Sequence, residues 1–194
     1  MSIRRSTVAL AALLAAAGLA LGSLSACSPA KRVLVIGDSL TVSAAAAGLG
    51  ADHPWQWTIS AEDGRGTNRG IAIARDRDIA AYDLVIVALG TNDYLDDAVT
   101  YRTRIDNMMA ALADAPRVIW INVDSHTPHL APAALGVNPA IAAAPGRHSK
   151  LTAADWDAYV ATVPDMDDYR RGDQIHYNAA GDDLRARWME SLVA

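Results

Sequence analysis

From residue 32 onward, short aliphatic runs alternate with helix-like stretches, and most of the runs end in a turn. Residues 32–36 (RVLVI), 83–89 (DLVIVAL) and 117–123 (RVIWINV) are apolar almost throughout, with no polar face. Runs of this kind suit parallel strands covered on both sides. A further strand is expected over 55–61, and a fifth, from a weaker pattern, near 150–153. Helices are expected over 39–49, 71–81, 98–113 and 179–192, the last opened by Asn178 and broken early by Gly181. Residues 64–70 read as a glycine-rich turn and 90–93 as a second turn. The stretch 124–148 carries Pro128, Pro132, Pro139 and Pro145, with only a short helical pattern near 138–144. Strands alternating with helices call for a parallel sheet with right-handed crossovers and helices on both faces.

The first 26 residues break this rhythm. Arg4 and Arg5 precede an apolar run over 8–21, and small residues follow. That order describes a secretory signal, and the run is shorter than the ~20 residues that span a bilayer. Its end, Leu24-Ser25-Ala26-Cys27, resembles a bacterial lipoprotein box. The resemblance implies cleavage before Cys27, lipid on its sulfur, and an extracytoplasmic protein anchored to the cell membrane. A plain secretory signal with an incidental cysteine is the alternative. Cys27 is the single cysteine of the chain, so no disulfide can form within it. Residues 27–31 then read as a tether and 32–194 as one domain. The whole chain has a formal net charge of −5, and loss of Arg4 and Arg5 takes it to −7. Such acidity speaks against a nucleic-acid partner, which needs basic patches.

In an open α/β sheet, ligands bind at the carboxyl ends of the strands. The residues just past those ends carry chemistry here. Asp38 and Ser39 follow the first strand, Gly64 the second, and Asn92 and Asp93 the third; Asp173 and His176 precede the last helix. A serine hydroxyl becomes a nucleophile when a neighbouring base takes its proton. Histidine serves as that base near neutral pH, and a carboxylate fixes its tautomer. Asp173 lies three residues before His176, within reach of the ring. A tetrahedral oxyanion needs donors aimed at it. The backbone N–H groups of Ser39 and Gly64 and the side-chain amide of Asn92 are candidates. Taken singly, Ser39 also suits a helix cap, and Asn92 and Asp93 suit a turn.

Four blocks resemble the SGNH (GDSL) hydrolases: Gly37-Asp38-Ser39-Leu40, the glycine after the second strand, Gly90-Thr91-Asn92-Asp93, and Asp173-Gln174-Ile175-His176. Their order matches as well, over residues 30–185. The resemblance implies a flavodoxin-like three-layer α/β/α sandwich with a five-stranded parallel sheet. It implies Ser39 as nucleophile, His176 as base, Asp173 as its orienting acid, and Gly64 and Asn92 as oxyanion donors. Gly66 competes with Gly64 for that role. The implied activity is hydrolysis of an ester of a lipid or an acylated glycan through an acyl-enzyme on Ser39, without a cofactor. Transfer to a sugar hydroxyl, deacetylation of a glycan, and a non-catalytic lipoprotein that binds acylated ligands are the alternatives.

Other patterns are weaker. Gly64, Gly66 and Gly70 have one residue too many for a dinucleotide fingerprint and follow the wrong strand. The run Asp124-Ser125-His126-Thr127-Pro128-His129 places carboxylate and imidazole together. Pro128 and the lack of a matching cluster favour a polar loop, bordering the substrate cleft, over a metal site. The five tryptophans read as core, Trp120 most clearly, with the rim as the alternative for Trp156.

Overall fold

The computed structural model describes residues 30–193. The signal segment, Cys27 and most of the tether lie outside the described residues. Five strands form one parallel sheet, β1 (Arg32–Gly37), β2 (Gln56–Ala61), β3 (Leu84–Ala88), β4 (Val118–Ile121) and β5 (Leu151–Ala154). Their order is β2-β1-β3-β4-β5, the flavodoxin-like order. The helices are α1 (Ser39–Ala46), α2 (Thr67–Arg75), α3 (Ala98–Ala111), α4 (Val137–Ala143), α5 (Trp156–Val160) and α6 (Ala179–Ser191). Among the described residues, no helix is long and apolar enough to cross a membrane.

Strand alternation divides the interior into two cores. Leu34, Ile36, Val85, Val87, Val118 and Trp120 face α2, α3 and α4. Val33, Val35, Leu84, Ile86, Ile119 and Ile121 face α1, α5 and α6. This is the expected α/β/α sandwich.

The boundaries depart from the sequence reading where glycines act differently. α1 stops at Ala46, ahead of Gly48, whose φ is +100°. α2 begins inside the expected glycine-rich turn, and Gly70 belongs to it. A Cβ on Gly70 would come within 2.3 Å of Leu89 Cδ1, so this glycine lets the helix pack tightly on the sheet side. α2 ends at Arg75, and Ile79–Ala81 forms a separate 3₁₀ turn. Gly181 does not break α6, which runs through it. A Cβ there would lie 2.5 Å from the Tyr169 carbonyl oxygen. Asn178 caps α6 as expected, its Oδ1 accepting from the N–H groups of Ala180 and Gly181. α5 escaped the sequence reading, and its Trp156 is fully buried against Tyr177 and Trp188 instead of lying at the rim.

Candidate active site

β1 ends at Gly37, and Asp38 turns the chain into α1. Asp38 is the cap: its Oδ1 accepts from Leu40 N at 3.0 Å. Ser39 is therefore the first helical residue rather than the cap, and its hydroxyl is free for another partner. That partner is His176, whose Nε2 lies 2.9 Å from Ser39 Oγ. The other ring nitrogen, Nδ1, lies 2.8 Å from Asp173 Oδ2. An ionised carboxylate only accepts, so in the neutral ring Nδ1 carries the hydrogen and the Nε2 lone pair faces the serine O–H.

Asp173 is ionised by local geometry. Its Oδ1 accepts from the backbone N–H groups of His176 and Ile175, each at 2.9 Å. Those bonds, with the imidazole contact, lower its pKa to about 2. The left-handed backbone of Gln174, φ +56°, folds the segment so that one carboxylate takes all three donors.

A cleft of about 520 Å³ opens over Ser39 and His176. Val42 and Ser43 of α1 line it with Asp63 and Gly64, and Asn92 and Arg171 complete it. The expected donors thus border one cavity. Gly64, φ +69°, faces open space, whereas Gly66 points towards Asp93 and stands outside the cleft lining. The geometry favours Gly64. Asn92 Nδ2 donates one hydrogen to Arg65 O at 3.2 Å, which fixes the amide and leaves its second N–H. Asp93 is structural: its Oδ2 accepts from Thr67 N at 2.8 Å and from Thr67 Oγ1 at 2.7 Å.

The run 124–129, expected to border the cleft, contributes none of its lining. Asp124 instead is buried and braces the histidine segment from behind. Its Oδ2 accepts from Arg170 Nη2 at 2.5 Å and from Tyr177 Oη at 2.9 Å. Tyr177 Oη in turn accepts from Trp156 Nε1 at 2.8 Å. Burial alone would raise the Asp124 pKa, but the bonds and charge of Arg170, with the His126 amide and Tyr177, hold it below the ordinary value. His126 and Asp157 approach Asp124 closely enough to hold an ion. The oxygens already have partners, however: Asp124 Oδ1 accepts from His126 N, and Asp157 Oδ1 from Ser125 N and Oγ. Sequence reasoning missed this brace because Asp124, Trp156 and Arg170 are scattered along the chain. Only Tyr177, next to His176, carried a hint.

No family model matches the sequence, and no curated protein is similar to it. Solved structures share its fold. The C-terminal catalytic domain of peptidoglycan O-acetyltransferase A from Streptococcus pneumoniae is 22% identical, with a TM-score of 0.63 over 84% of this chain and 92% of that one. A lipase/acylhydrolase from Enterococcus faecalis is 18% identical, with a TM-score of 0.63 over 84% and 95%. A GDSL-like lipase from Bacteroides thetaiotaomicron is 19% identical, with a TM-score of 0.61 over 84% and 85%.

Proposed function

We propose that this chain, which has the fold of the SGNH (GDSL) hydrolases, is a serine ester hydrolase of that family. The observation that carries the reading is the unbroken path Ser39 Oγ–His176 Nε2, His176 Nδ1–Asp173 Oδ2, at 2.9 and 2.8 Å, opening on the cleft. Ser39 Oγ attacks the ester carbonyl and passes its proton to His176 Nε2. Asp173 holds the ring in the needed tautomer and stabilises the imidazolium. The oxyanion is met by the amides of Ser39 and Gly64 and by the free N–H of Asn92. The Ser39 amide belongs to the first turn of α1, where N–H groups have no partner within the helix. His176 then protonates the leaving alkoxide, the C–O bond breaks, and a water deprotonated by His176 releases the acid. Val42 is the one large apolar side chain at the cleft, so short acyl groups fit best.

The test is hydrolysis of p-nitrophenyl acetate, butyrate and octanoate, beside Ser39→Ala. Activity should fall at least ~10³-fold in the variant, with acetate and butyrate preferred to octanoate. A fluorophosphonate should add to Ser39 alone. Equal activity of the two proteins would sink the assignment. Transfer to a sugar hydroxyl uses the same acyl-enzyme and would show as product on an added glycan acceptor. We also propose that the enzyme is extracytoplasmic and anchored by lipid on Cys27, on the strength of Leu24-Ser25-Ala26-Cys27. Cells fed labelled palmitate should label the protein, and Cys27→Ser should remove the label. Equal labelling of both would refute the anchor.

A further inference from the structure

Arg65 stands between the two glycines of the loop after β2, yet its side chain turns inward and the residue is 4% exposed. Its Nη1 donates to the Ser60 carbonyl at 2.5 Å and reaches the Gly37 carbonyl at 3.3 Å. Its Nη2 pairs with Glu62 Oε2 at 3.3 Å. Its own carbonyl accepts from Asn92 Nδ2 at 3.2 Å. Gly37 ends β1, two residues before Ser39. Ser60 lies at the end of β2, and Asn92 follows β3. A single residue therefore ties the carboxyl ends of three adjacent strands together at the cleft.

Burying a guanidinium is costly unless its donors are met. Here Nε has no partner at all, so Arg65 is an expensive choice for filling space. What it provides is geometry. The loop 62–66 has no helix or strand of its own to set the direction of the Gly64 amide. Oxyanion donors act over a few tenths of an ångström. The planar fork of arginine places Nη1 on two carbonyls and Nη2 on the Glu62 carboxylate, a divided set that the single nitrogen of a lysine ammonium cannot hold in the same way.

We propose that Arg65 is a positioning residue for the oxyanion hole, locking Gly64 and the Asn92 amide in register with Ser39. This inference rests on the hydrolase reading above. It is tested on the full chain with Arg65→Met and with Arg65→Lys, which keeps the buried charge. Rates are taken per folded molecule. In both variants kcat for p-nitrophenyl acetate should fall, by about 100-fold in the methionine variant and by at least ~10-fold in the lysine variant, with KM within about threefold. The pH dependence of kcat should keep its shape, because the His176–Asp173 contact is untouched. Affinity for a boronic acid that mimics the tetrahedral state should fall in proportion to kcat/KM. A second readout needs no activity: amide exchange in 62–66 should quicken in Arg65→Met while 173–178 is unchanged. A kcat within threefold of the parent in either folded variant would overturn the proposal, as would unchanged exchange in 62–66. An inert parent would overturn the hydrolase reading instead, and the exchange result would still decide whether Arg65 holds the loop.

Discussion

Tyr177→Phe removes one oxygen from the brace behind His176, and its cost can be worked from the contacts. Tyr177 is 1% exposed, and its hydroxyl both donates to Asp124 Oδ2 and accepts from Trp156 Nε1. Loss of the hydroxyl orphans a buried indole N–H, a cost of roughly 1–3 kcal/mol. It also removes a charge-assisted bond to Asp124, worth roughly 1.5–3 kcal/mol. Asp124 keeps Arg170 and His126 N, so its charge remains paired. The phenylalanine also avoids desolvating a hydroxyl, which offsets part of the sum, and a net loss of about 2–4 kcal/mol follows. For a domain of this size that lowers Tm by roughly 5–15 °C. Urea unfolding should show a lower midpoint at constant m. Because Tyr177 adjoins His176, kcat should fall as well, by less than in Ser39→Ala. A double-mutant cycle with Asp124→Asn should give a coupling of at least ~0.5 kcal/mol. A loss below about 0.5 kcal/mol with additive variants would refute the idea that this network holds the histidine segment.

Two further outcomes follow from the same contacts. Asp124 and Asp173 both titrate below the ordinary carboxylate value, Asp173 at about 2, so each binds its proton more weakly folded than unfolded. Their contribution is fully present above about pH 4 and is lost as pH falls through the folded values. The fall in urea midpoint below about pH 4 should thus be smaller in Asp124→Asn than in the parent; an equal or larger fall in the variant would refute the linkage. Gly64→Ala must hold alanine at φ +69°, costing about 1–2 kcal/mol, and should lower kcat; Gly66→Ala, whose Cβ would come within 3.1 Å of Asp93 Oδ1, should reduce kcat less, and the reverse order would reassign the oxyanion glycine.

β1, β3 and β4 were legible because burial on both faces leaves a continuous aliphatic signal, as at Val85–Val87, whereas the edge strands β2 and β5 are partly exposed and left a weaker one. The proposed site residues were legible because each follows or adjoins an element whose end could be placed. Glycines were not. Sequence reading takes Gly181 as a helix breaker, but its lack of a side chain lets α6 pass 2.5 Å from the Tyr169 carbonyl. Gly70 likewise serves close packing inside α2 rather than a turn. Such contacts depend on what the fold brings near, which no local pattern records. The same is true of Asp124, whose partners lie 46 and 53 residues away, and of Arg65, whose inward side chain reverses the usual reading of a charged loop residue.

The two cores separated by the sheet have a consequence for how this site can change over time. α1 and α6, which carry or adjoin Ser39 and His176, rest on one core. α2 and α3, which follow Gly64 and Asn92, rest on the other. The proposed nucleophile and base, with the Ser39 amide, therefore rest on one core, and the Gly64 and Asn92 donors on the other. Repacking around Met189 or Ala44 would shift the first, and repacking around Met108 or Ile71 the second. Drift on either side of the sheet then acts on a different set of groups, with the Arg65 contacts as the point where the two sides meet.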